Sequence, residues 1–246
     1  MNAGVLAFGD SITNGGGELQ WGVALQSWAL WTARGLGLPY TGYAVDGARV
    51  GDVADMQVPA FLERTALPEA RYAVGCLYAG VNDVRVPGFD AAAFEAAYAS
   101  VATFLAQRCE RVLVVTIPDG LGLPRAGGIA AGNAAILRVA ADVGALVLDL
   151  RDFGARNHVM ADRVHPTAFG QVAIAERALA VLAADGMAVR VRPSALIAPS
   201  ERTRLRTLQG DWSYVYRTLK GLARASGAAG RVRRAVRAAS GRSGSR

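Results

Sequence analysis

The sequence predicts a three-layer α/β domain on a mostly parallel sheet, followed by a basic C-terminal helical appendage. Three observations predict it. Up to about residue 186, short apolar runs bounded by turn residues alternate with longer stretches of helical period. The short runs are apolar throughout, as strands covered on both faces must be. The helical stretches between them are 14 to 18 residues long, which calls for crossover connections and therefore parallel pairing.

Taken in order, Val5–Phe8 is the first strand, and Val23–Leu36 a helix. A weaker strand follows near Tyr40–Val45, then a strong one at Tyr72–Tyr78. Helix Ala91–Gln107, strand Val112–Ile117, helix Ile129–Asp142, strand Leu146–Leu150 and helix Thr167–Ala184 complete the body. Arg190, Arg192, Pro193 and Pro199 then interrupt the pattern, so residues 187–199 read as a linker or a chain crossing the body surface. In such a sheet, chemistry belongs at the carboxyl ends of the strands.

The chain has 246 residues, 52% of them apolar and 19% charged, enough to bury a sizeable core. Its net charge of +7 is unevenly placed. Residues 200–246 carry 12 basic and 2 acidic side chains, whereas the first 199 residues carry 15 and 18. A uniformly basic, nucleic-acid-coating protein is excluded. Lys220 is the only lysine, so nearly all the positive charge is guanidinium, well suited to phosphate or carboxylate or else a reflection of coding bias. Cys76 and Cys109 have no metal-ligand spacing and cannot make a disulfide framework, and Cys76 lies in a core-strand pattern. No signal peptide is visible before the first strand, and no apolar run reaches the roughly 20 residues of a membrane span. A soluble, cytoplasmic protein is the expectation.

In the tail, Leu205, Leu208, Trp212, Val215, Leu219 and Leu222 form an apolar seam with 3-4-3-4-3 spacing. Ser200 can cap its start, Gly210 weakens it, and the Ser/Gly/Arg end is expected to be disordered. Docking on the body, contact with an anionic membrane surface and self-association all fit the seam. Nucleic-acid binding is disfavoured, because no recognisable module accompanies the charge.

Four motifs carry chemistry. Gly9-Asp10-Ser11 follows the first strand, where a serine hydroxyl can face the crevice and backbone N–H groups can meet a developing negative charge. Asp162-Arg163-Val164-His165-Pro166 joins the last strand to the last helix. A serine needs a base, and His165 has a carboxylate three residues earlier to fix its tautomer. The other histidine, His158, reads as solvent-facing. Gly80-Val81-Asn82-Asp83 ends the middle strand and offers the Asn82 amide; Asp46-Gly47 follows the second strand and offers a backbone N–H. Each motif alone is also an ordinary turn or helix cap. Their arrangement is the evidence, because each follows a different strand and parallel strand ends share one edge.

These blocks resemble the SGNH hydrolase superfamily of GDSL-type esterases and lipases, in order and spacing, over roughly Val5 to Ala184. The resemblance implies a flavodoxin-like sandwich over residues 1–186. It makes Ser11 the nucleophile, His165 the base and Asp162 its partner, with the Ser11 N–H, the Gly47 N–H and the Asn82 side chain as the oxyanion hole. Two positions depart from the family pattern. Gly42-Tyr43 stands where many relatives carry an asparagine, and Asp46 where a small residue is common.

The expected function is cleavage of a small or lipid-like carboxylic ester through an acyl-enzyme. An acyltransferase using the same triad, or a tail-driven membrane- or anion-binding protein with a silent body, are the alternatives. No cofactor is expected. Gly15-Gly16-Gly17 lacks the lysine of a phosphate loop and reads as a flexible rim. Asp10, Asp83, Asp162 and His165 lack the spacing of a metal site. Trp28 and Trp31 read as core, and Trp21 as either core or the wall of a substrate subsite.

Overall fold

The computed structural model describes residues 3–16, 26–64, 69–122, 124–155, 157–160 and 162–196. Trp21, Gly17 and the whole tail seam lie outside them.

Five strands form the sheet: β1 (Val5–Gly9), β2 (Tyr40–Gly42), β3 (Tyr72–Tyr78), β4 (Cys109–Val115) and β5 (Leu146–Leu148). Their order is β2-β1-β3-β4-β5, and every pair is parallel. This is a doubly wound, flavodoxin-like sheet whose switch point lies between β1 and β3. β1 and β3 are buried along their whole length, as central strands covered by helices on both faces must be.

One face carries α2 (Trp28–Leu36) and α7 (Ala168–Ala184), packed on each other. The other carries α5 (Ala91–Arg108) and α6 (Ile129–Val143), likewise paired. Side-chain caps start these helices where the sequence places them. Ser27 accepts from the Leu30 N–H, Asp90 from Ala92 and Ala93, and Thr167 from Gly170. Trp28 is fully buried and Trp31 nearly so, which makes both core residues. Cys76 and Cys109 are buried, unpaired thiols, and burial pushes Cys76 above the usual thiol range.

Residues 50–64 fold as an unpredicted helical segment. It comprises α3 (Val50–Asp52), a π turn (Val53–Gln57) and α4 (Val58–Arg64). Val50, Val53, Gln57 and Phe61 face inward. A glutamine among the inward positions and Pro59 in the run hide the helical period. The π turn resets the ladder, with the Val58 N–H reaching back to the Val53 carbonyl.

Residues 187–192 cross the body surface, where Arg190 and Val191 donate backbone bonds to the Gly35 carbonyl of α2. A 3-10 turn, Pro193–Leu196, follows.

Candidate active site

The site is assembled from the loops after β1, β2, β3 and β5. Beyond β1, Asp10 caps the short helix α1 (Ser11–Asn14), its Oδ1 accepting from the Ile12 N–H at 2.9 Å. Ser11 is therefore the first residue of a helix turn. Two buried glutamines anchor this turn. Gln57 bonds both backbone groups of Gly9, accepting from its N–H at 3.1 Å and donating to its carbonyl at 2.7 Å. From α7, Gln171 donates to the carbonyls of Ile12 and Gly16 and accepts from the Trp28 N–H. Sequence reasoning missed both glutamines. Their signal is an uncharged polar residue at an inward-facing helix position, which needs a buried partner.

Gly15 and Gly16 are not a loose rim. Gly15 ends α1 in the left-handed conformation, and the Gly16 N–H bonds the Ser11 carbonyl at 2.6 Å. A Cβ on Gly16 would stand 2.7 Å from that oxygen, so only glycine fits.

The loop between β5 and α7 brings His165 and Asp162 to Ser11. Val159 and Pro166 form an isolated antiparallel bridge, and the Met160 N–H bonds the His165 carbonyl at 2.8 Å. Within the resulting turn, Asp162 Oδ1 accepts from the backbone N–H groups of Val164 and His165. Its Oδ2 accepts from His165 Nδ1 at 2.7 Å. That bond leaves Nε2 as the acceptor, 2.9 Å from Ser11 Oγ.

The hydrogen bond from Asp162 raises His165 above the ordinary histidine value, against the opposing effect of burial. Burial pushes Asp162 up, but its bonds from the His165 ring and from the Val164 and His165 amides outweigh this and hold it below the carboxylate range. Asp10 is fully buried, and desolvation lifts it to about 7. Its Oδ2 has no partner among the described residues.

The loops after β2 and β3 meet beside Ser11. The Val45 N–H continues the ladder to the Gly9 carbonyl, so the Gly47 turn lies against the turn that carries Ser11. Asn14 Nδ2 donates to Asp46 Oδ1 at 2.9 Å, which gives the departing residue Asp46 a structural task. Asn82 Nδ2 donates to the Ala48 carbonyl at 3.0 Å, and Asp83 accepts from the Val50 N–H. The Asn82 amide is thus fixed with one hydrogen still available. Gly47 has φ +79° and open space where a side chain would stand. Neither its N–H nor that of Ser11 bonds a described residue.

His158 is not solvent-facing. It is half-buried and stacked on Phe153, with centroids 5.7 Å apart, and burial lowers its pKa. No group of three or more His, Cys, Asp or Glu among the described residues could hold a metal ion. Asp10, Asp83, Asp162 and His165 share the edge, but Asp83 turns to α3 and Asp162 to the imidazole. A cavity of about 240 Å³ lies by the histidine loop, walled by Ile12, Tyr78, Phe153, Val159, Met160 and Ile174 and also lined by Arg151, Asp152 and Arg163. Neither Ser11 nor His165 lines it.

Among the described residues, no helix is long and apolar enough to cross a membrane. No curated protein sequence matches the chain. In fold it is similar to Axe2, an acetylxylan esterase from Geobacillus stearothermophilus, at 19% identity and TM-score 0.56, covering 78% of this chain and 100% of that one. It is also similar to AlAXEase, an acetyl xylan esterase, at 25% identity and TM-score 0.55, over 72% and 98% of the two chains. TesA aligns at 24% identity and TM-score 0.56, over 72% and 97%. The profile of the GDSL-like lipase/acylhydrolase family matches residues 7–173, more than half of the chain. The chain belongs to that family and is a serine esterase.

Proposed function

We propose that this esterase works by two-step acyl transfer through Ser11. His165 takes the hydroxyl proton through Nε2, and the freed oxygen attacks the ester carbonyl. The resulting oxyanion collapses, the alcohol leaves with the proton from His165, and an acyl-enzyme remains. Water, deprotonated by the same imidazole, then releases the acid. Asp162 keeps Nδ1 protonated and stabilises the imidazolium.

The observation that carries this reading is the unbroken chain from Ser11 Oγ to His165 Nε2 at 2.9 Å and from Nδ1 to Asp162 Oδ2 at 2.7 Å. Three hydrogen-bond donors beside it have no acceptor among the described residues: the N–H groups of Ser11 and Gly47, and one hydrogen of the Asn82 amide. Donors poised without acceptors suit a charge that develops only during reaction. Acetyl esters of sugars are a candidate substrate class, because Axe2 and AlAXEase act on acetylated xylan.

The test is steady-state hydrolysis of a short aryl ester. Ser11→Ala is expected to abolish turnover. Asn82→Ala is expected to lower kcat by roughly 10²–10³ with KM little changed, the signature of a lost oxyanion donor. Full activity in Ser11→Ala overturns the proposal. A KM effect without a kcat effect in Asn82→Ala removes Asn82 from the oxyanion hole.

A further inference from the structure

Several arginines of this body are neutralised: Arg111 pairs with Asp185, Arg138 with Glu95, Arg151 with Asp149, Arg177 with Asp152 and Arg192 with Glu176. Others, such as Arg34, Arg71 and Arg190, have no ion pair with a described residue. On the loops after β3, β4 and β5, Arg85, Arg125 and Arg163 are exposed. None of the three makes an ion pair with a described residue, although the first 199 residues carry more acidic than basic side chains.

Backbone bonds fasten these three loops together. The Gly128 N–H bonds the Val84 carbonyl, so the loop after β4 is tied beside Arg85. On its other side, the Gly122 N–H bonds the carbonyl of Arg163 at 2.8 Å. Arg163 itself has φ +54°, a conformation costly for a side-chain-bearing residue. Arg125 lies on the middle loop, between the two ties.

Arg85 and Arg125 line one cavity of about 610 Å³, together with Phe89, Pro87 and Pro124. Among the described residues, no acidic side chain lines it. Three carboxylates on the neighbouring loops are engaged elsewhere: Asp83 accepts from Val50, Asp90 caps α5 and Asp162 holds His165. Arg85 is three residues beyond Asn82, and its charge reaches His165, where it opposes protonation.

Two unpaired guanidinium groups lining one cavity, to which no described residue brings a carboxylate, attract and orient an anion. We propose that the ester hydrolysed here carries an anionic group, a carboxylate or a phosphate, bound by Arg85 and Arg125. This rests on the acyl-transfer reading of the Ser11 site and assigns its substrate class. The apolar walls suit the carbon skeleton that bears the charge.

The experiment compares kcat/KM for three aryl esters: neutral phenyl acetate, 4-acetoxybenzoate with its charge on the alcohol side, and monophenyl succinate with its charge on the acyl side. Inorganic phosphate is added separately as an inhibitor. At least one anionic ester is expected to exceed the neutral ester tenfold or more, with the advantage shrinking as salt rises. In Arg85→Gln/Arg125→Gln the anionic-to-neutral ratio is expected to fall at least tenfold, and in the distant control Arg138→Gln to stay at the wild-type value. Competitive inhibition by phosphate that weakens in the double variant identifies phosphate as an accepted head; its absence alongside an anionic-ester preference identifies carboxylate. A wild-type preference for the neutral ester, or an unchanged ratio in the double variant, overturns the proposal. Failure of the acyl-transfer reading is separate, because it shows as neutral-ester hydrolysis that survives Ser11→Ala.

Discussion

Asp10 stands immediately before Ser11, the proposed nucleophile, with no solvent contact and one carboxyl oxygen unpartnered among the described residues. Burial raises it to about 7, and its negative charge in turn raises His165. A carboxyl raised on folding binds its proton more tightly in the native state. Its stabilising contribution is therefore complete below its unfolded value of 3.8 and is lost as pH rises through about 7. Asp10→Asn keeps an oxygen for the Ile12 N–H and removes the titration. From pH 5 to pH 8 the variant is expected to gain roughly 3 kcal/mol relative to the wild type, read from urea midpoints at the two pH values. The acid limb of kcat/KM is expected to move to lower pH, because His165 loses a neighbouring negative charge. A pH-independent stability difference and an unmoved limb contradict this assignment.

Among the elements, the segment from α3 to α4 has the clearest mechanical task. Its π turn delivers Gln57 to Gly9 and so fixes the strand end that launches Asp10 and Ser11. The Gly9 carbonyl keeps a second donor in the Val45 N–H, whereas its N–H has Gln57 alone among the described residues. Gln57→Met conserves bulk and orphans that N–H. The expected cost is about 1–3 kcal/mol of stability, the penalty for one buried unsatisfied donor. Denaturant unfolding measures it, and kcat for a short ester is expected to fall as the nucleophile turn loosens. Equal stability and equal kcat would show that the turn holds its shape without Gln57. The sequence concealed this element because its inward face includes a glutamine and its run includes Pro59. By contrast, β3 and α5 were legible nearly to the residue, since one is apolar throughout and the other has an aspartate cap and an unbroken period.

Over the whole molecule, the order β2-β1-β3-β4-β5 brings the loops after four strands to one edge, and that is why four short motifs separated in sequence could be assembled without coordinates. The hydrogen-bonded chain of Ser11, His165 and Asp162 was legible because its members belong to compact blocks at strand ends. The arginine pair was not, because it depends on how the loops after β3 and β4 are bonded to one another. Net charge pointed the other way: an acidic body gives no hint that Arg85 and Arg125 line one cavity. Gln57 and Gln171 escaped for a similar reason, since a buried glutamine declares its partner only in three dimensions. The central claim is that Ser11 is the activated nucleophile of this edge. It is tested most directly by reacting the intact protein with a fluorophosphonate and mapping the adduct by peptide mass spectrometry. The account predicts a single modification on Ser11, abolished in Ser11→Ala and slowed in His165→Ala; an unmodified Ser11, or labelling that persists in Ser11→Ala, contradicts it.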